Sequence, residues 1–122
     1  MANPFVHVEL HSNNLQKARD FYTRLFGWKL QDEPMPGDGS YTMIDVGGGT
    51  GGGMMATRAP GEPSHWLAYV GVDDIDASTK KAKELGAKVV MDVTEVGKFG
   101  WMSIITDPTG ATFAMWKPMK RE

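Results

Sequence analysis

Residues 5–11 read FVHVELH and place His7, Glu9 and His11 on alternate positions, with Val6, Val8 and Leu10 between them. Two kinds of chemistry suit such a set. Imidazole nitrogens and a carboxylate oxygen are donors for a divalent ion. A histidine beside a carboxylate can also titrate near neutrality and move a proton. The plain alternative is a strand with one wet face. Nucleophilic catalysis has less to stand on. The chain has no cysteine, so thiol chemistry, disulfides and zinc–thiolate sites are excluded. Ser12, Ser40, Ser64, Ser78 and Ser103 all lie outside a G-x-S-x-G context.

The elements that must position these residues follow from periodicity. Strict alternation over 5–11 predicts a half-buried strand, with Val6, Val8 and Leu10 packing under a helix. The next stretch, SNNLQKARDFYTRLFGW, changes period: Leu15, Ala18, Phe21, Tyr22 and Leu25 form one helical stripe. Asn13 or Asn14 suits its N-cap, and Gly27 its stop. WKLQDE reads as a strand, PMPGDGS as a turn cluster, YTMIDV as a strand, and GGGMMAT as the start of another. The GGGTGGG run lacks the Lys-Ser/Thr of a phosphate loop, and no helical pattern follows it. It reads as a hairpin connection.

The second half repeats the first. HWLAYVGV is a strand, and DDIDASTKKAKELGAK is a helix capped by Asp73 or Asp74. KVVMDV, GWMSIIT and ATFAMW are strands, with DPTG as a turn. Setting Asn14-Leu15 over Asp74-Ile75 brings Leu25 onto Leu85, His7 onto Leu67 and Glu9 onto Tyr69. Matching Gly51 with Gly110 sets Met55 over Ala114. Two βαβββ modules are expected, about 4–58 and about 64–118, in one domain over 1–122. Helices are expected near 14–26 and 74–85.

Composition narrows the class further. The 122 residues suffice for one domain with its own core. A net charge of −2 and a basic cluster limited to Lys117, Lys120 and Arg121 argue against nucleic acid as partner. No apolar run approaches the roughly 18 residues of a membrane span. The N-terminus lacks a basic segment followed by an apolar one. A cytoplasmic protein is expected, with neither membrane nor nucleic acid as partner.

Three stretches, VHVELHSNNLQKARDFYTRLFGW, VDDIDASTKKAKELGAKV and DPTGATFAMW, resemble the glyoxalase / bleomycin-resistance / extradiol dioxygenase superfamily, the vicinal oxygen chelate group. The resemblance spans essentially the whole chain. It implies an α+β fold of tandem βαβββ modules whose mixed, curved sheets form a cleft, and a homodimer. It also implies, in metal-dependent members, four ligands: a donor at His7, a Glu near Met55, a His near Leu67 and a Glu near Ala114. Only His7 matches. Met55 offers a soft thioether, and Leu67 and Ala114 offer no donor. No metal and no cofactor are therefore expected. A divalent ion is possible but not favoured, through a rearranged site in which His65 joins Glu9 or His11; His65 stands ~6.8 Å along the strand from Leu67.

The cleft would then be lined by His7, Glu9, Met55, His65, Leu67, Tyr69, Trp101 and Ala114, a mostly apolar wall with a few polar groups. Trp28, Trp66 and Phe113 are expected in the core or on opposite faces. No catalytic residue is assigned. The expected function is small-molecule binding without the family's metal site. The alternative is a glyoxalase-like lyase or isomerase with an unorthodox metal site around His7.

Overall fold

The computed structural model describes residues 2–35 and 40–119. The middle of the expected PMPGDGS turn, and Lys120 and Arg121 of the basic tail, lie outside these. The elements run β1 (Phe5–Ser12), α1 (Leu15–Phe26), β2 (Lys29–Pro34), β3 (Ser40–Asp45), β4 (Gly52–Ala56), β5 (His65–Gly71), α2 (Ile75–Glu84), β6 (Lys88–Val96), β7 (Gly100–Thr106) and β8 (Thr112–Pro118). The βαβββ order thus occurs twice, in an α+β fold. No helix among the described residues is long and apolar enough to cross a membrane.

The helices begin where short polar side chains cap orphan N–H groups. Asn14 accepts from the Lys17 N–H at 3.1 Å, and Asp74 accepts from the Ala77 N–H at 3.0 Å. α1 stops at Gly27, whose φ of 71° is left-handed.

The chain divides into two compact units, His7–Leu67 and Met1–Val6 with Ala68–Glu122. In the first, the strand order is β2-β3-β4-β1, antiparallel except for the parallel β4–β1 pair. Leu10, Ile44 and Met54 form its buried core, with Leu15, Ala18 and Tyr22 of α1 packed against them. Arg19 ties α1 to the sheet: its guanidinium donates to Thr42 Oγ1 at 2.8 Å and to Asp32 Oδ1 at 2.9 Å. The Thr42 hydroxyl, and after it Arg19, hold the Asp32 carboxyl below its ordinary range. Of the valines expected under the helix, Val6 is 39% exposed and meets Gly71 instead.

The second unit repeats the order as β5-β8-β7-β6, with β5–β8 parallel. Ile75, Ile105 and Met115 form its core. The helix tie recurs as Thr79 Oγ1 to Ser103 Oγ at 3.0 Å.

One expected register is corrected. Glu9 pairs with Gly53 and His11 with Met55 on β1–β4, while Tyr69 pairs with Ala114 on β5–β8. Since Glu9 corresponds to Tyr69, the residue corresponding to Ala114 is Gly53; Met55 corresponds to Trp116. Matching Gly51 to Gly110 fails because the β3–β4 and β7–β8 pairings run in step and set Gly49 over Gly110, both left-handed with φ of 76° and 101°.

Candidate functional site

Alternation sends Leu10 of β1 into the core and His7, Glu9 and His11 to the opposite face. That face is not wet at Glu9 and His11, which are 5% and 1% exposed. Buried polar groups need partners, and these form a chain. His11 Nε2 lies 2.6 Å from Glu9 Oε1. The Tyr41 hydroxyl donates to Glu9 Oε2 at 2.5 Å. His7 Nε2 lies 2.7 Å from Tyr41 Oη. Because the phenolic proton points at Glu9, His7 Nε2–H donates to Tyr41 Oη. Glu9 thus accepts from both sides. Burial pushes the His7 imidazole pKa below its ordinary value, against the opposing pull of the Glu9 charge.

Tyr41 reaches this chain because of a glycine. It stands on β3, and β4 separates β3 from β1. Met43 of β3 and Glu9 of β1 both pair with Gly53 of β4. A Cβ at position 53 would overlap the Tyr41 hydroxyl and ring. The bare backbone at Gly53 leaves the passage through which the phenol crosses one strand.

A second group sits at the far end of the chain. The segment before β5 curls so that Glu62 Oε1 accepts from the N–H groups of Arg58 at 2.9 Å and Ala59 at 3.1 Å. The Ala59 N–H foremost, then that of Arg58, keep the Glu62 carboxyl below the usual carboxylate range. His65 Nδ1–H donates to the Pro63 carbonyl at 2.9 Å. Its Nε2 lies 3.7 Å from Glu62 Oε2, and its ring centroid 4.8 Å from that of His11. His11, Glu62 and His65 each bring a ligand atom within 4.8 Å of the others.

The structure therefore joins His7 and Glu9 through Tyr41, and Glu9 to His65 through His11. Met55 stands beside His11 in the β1–β4 pairing. Leu67 is buried in the same unit. In the other unit Tyr69 and Ala114 are paired neighbours, both buried, with the Tyr69 hydroxyl 3.8 Å from Met102 Sδ. Trp101 is a correction. Ile104 pairs with Ala114, so Trp101, an odd number of residues away, faces the other side with Ser103 and Ile105. There it packs on the α2-side core under Lys117 Nζ, 4.9 Å from its ring, and it offers no platform beside Ala114. A cavity of about 300 Å³, lined by Val8, Trp28, Ile44, Val46 and Trp66 among others, involves none of the predicted residues. Sequence reasoning missed Tyr41 and Glu62 and left His11 off the predicted lining. Alternation had marked His11, but nothing local marked the other two.

Comparison with known proteins adds the lineage. The family model of the Glyoxalase/Bleomycin resistance protein/Dioxygenase superfamily matches residues 5–115. The chain belongs to this superfamily. "Putative glyoxylase CFP32" of Mycobacterium tuberculosis is 38% identical over 114 residues, covering 90% of this chain and 44% of that protein. "Anthracycline biosynthesis protein DnrV" of Streptomyces peucetius is 33% identical over 127 residues, covering 89% of this chain and 45% of that one. The chain thus spans about half the length of the curated relatives it matches. A Streptomyces coelicolor methylmalonyl-CoA epimerase variant in complex with 2-nitronate-propionyl-CoA superposes with a TM-score of 0.72 at 16% identity, over 100% of this chain and 99% of that one, a likeness of fold.

The superfamily's metal set does not fit these residues. His7 spends Nε2 on Tyr41. The corrected register replaces Met55 by Gly53 as the counterpart of Ala114, and neither glycine nor alanine carries a donor. Leu67 adds none. One imidazole does not make a metal site.

Proposed function

We propose that this protein is a small-molecule-binding member of the glyoxalase superfamily that works without the superfamily's metal set. The binding wall takes His7, Glu9, Met55, His65 and Leu67 from the His7–Leu67 unit. The observation that supports this reading is the His7–Tyr41–Glu9 chain. It turns the one matching ligand position into a hydrogen-bonding group and presents an acceptor and donors beside apolar side chains, the usual make-up of a ligand site.

A homodimer belongs to the same proposal. Phe21, Leu25 and Phe26 of α1 are 55%, 57% and 58% exposed, an apolar surface that a second copy would cover. The curated relatives are long enough to carry a further domain of this size in one chain. Light scattering at micromolar concentration should report twice the protomer mass; monomer alone would refute the dimer.

Native mass spectrometry of protein purified from its own host tests the binding. One retained small molecule per protomer is expected, and Tyr41→Phe should lose it. A divalent ion held tightly by the parent and lost on His7→Gln would instead establish the alternative, a lyase or isomerase with its metal at His7.

A further inference from the structure

Two of the three histidines, His11 and His65, converge with Glu62 away from His7. Each of the three has one polar atom already committed and a second that makes no hydrogen bond among the described residues. His11 uses Nε2 on Glu9, and its Nδ1 has no hydrogen-bond partner among the described residues although the side chain is buried. Glu62 uses Oε1 on two backbone N–H groups. His65 uses Nδ1 on the Pro63 carbonyl.

We propose that His11 Nδ1, Glu62 Oε2 and His65 Nε2 bind a divalent transition-metal ion of the zinc type. Two imidazole nitrogens and one carboxylate oxygen are a donor set that such ions accept, with a coordination position left for water. The spacing of the Glu62 and His65 donors suits it, and His11 lies within 4.8 Å of both. Ligand atoms around a tetrahedral ion at about 2.0–2.1 Å stand roughly 3.3–3.4 Å apart. His65 Nε2 and Glu62 Oε2 are 3.7 Å apart, too long for a hydrogen bond and close to the span of two ligands sharing an ion. The committed atoms supply the outer support that metal sites require. Glu9 orients His11 as a carboxylate–histidine–metal arrangement does, and the Pro63 carbonyl does the same for His65. The unpaired nitrogen of His11 is the observation hardest to explain otherwise, since a buried imidazole with one idle nitrogen is a group awaiting a partner. None of these three positions is among those the superfamily resemblance implies, and the site does not depend on the small-molecule proposal.

Zinc titration of the untagged, chelator-treated full chain by calorimetry tests this, with cobalt absorption as a second readout. One ion per chain is expected, with Kd below about 1 µM. Glu62→Gln and His65→Gln lie on the segment before β5 and at its start, and each should weaken binding at least about 100-fold. His7→Gln should leave it unchanged. Nitrogen-15 shifts of His11 and His65, but not of His7, should move on zinc addition. Circular dichroism of each variant confirms that it is folded. Parent binding weaker than about 100 µM, binding that survives both Glu62→Gln and His65→Gln, or binding lost in folded His7→Gln would each overturn the proposal.

Discussion

The Tyr41 hydroxyl donates to Glu9 Oε2 at 2.5 Å although a whole strand, β4, lies between their backbones. The contact exists because position 53 carries no side chain. It buries a carboxylate with both oxygens satisfied, by Tyr41 on one side and His11 on the other. It also diverts His7 from the role that the superfamily resemblance implies for it.

Gly53→Ala should therefore do more than add a methyl group. The new Cβ would overlap the Tyr41 ring, and overpacking of this kind costs about 1–3 kcal/mol. Pairing it with Tyr41→Ala should cost less than the sum of the two single changes, because the clash disappears with the ring. Urea denaturation of the parent, both single variants and the double variant measures this. Additive effects would show that the two residues do not compete for the same space.

His7 makes stability depend on pH in a window set by its lowered pKa. The unfolded imidazole titrates near 6.5 and the folded one lower. Between those values the unfolded state binds a proton that the folded state does not. Stability therefore rises with pH through the window and levels off above about 6.5. Asp32, Glu62 and Asp107 have lowered carboxyl pKa values, so their stabilisation is present above the unfolded carboxylate values of 3.8 to 4.5 and is lost below them. That loss lies in a separate, lower window. Chemical denaturation at pH 5.5 and 7.5 should show a larger decrease at the lower pH for the parent than for His7→Gln. An equal pH response in the two proteins would remove His7 as the cause.

The Thr79–Ser103 contact joins two buried hydroxyls, 3% and 0% exposed, across the α2–β7 interface. Ser103→Ala leaves the Thr79 hydroxyl without this partner and should cost about 1–3 kcal/mol. Adding Thr79→Val removes the stranded group, so the double variant should recover part of the loss. Thermal unfolding of the three variants beside the parent checks this; a double variant less stable than Ser103→Ala would contradict it.

Much was legible in the sequence because the relevant forces are local. Alternation along 5–11 put His7, Glu9 and His11 on one face, and the break to a helical stripe at Leu15 located α1. The Asn13-Asn14 and Asp73-Asp74 pairs marked the helix starts, and in each the second residue caps a backbone N–H three residues on. The double occurrence of this pattern determined the βαβββ repeat. The missing donors at Leu67 and Ala114 were likewise plain from residue chemistry.

What only the tertiary structure decided depends on which residues meet across strands. Period-two alternation gives a side chain its face but not its neighbour, and a run of six glycines over 47–53 does not say which of them answers to Gly110. That is why matched glycines misplaced Met55 against Ala114, and why Trp101 was set on the wrong side of β7. It is also why Tyr41 stayed hidden: its partner is chosen by a glycine on a third element, twelve residues further along the chain. Glu62 lies between β4 and β5, where no periodicity marks it, and only the turn that hands its carboxylate two backbone N–H groups aims it at His65. The residues that could do chemistry were written in the chain; their pairing was set by register, turn geometry and the space left by one absent side chain.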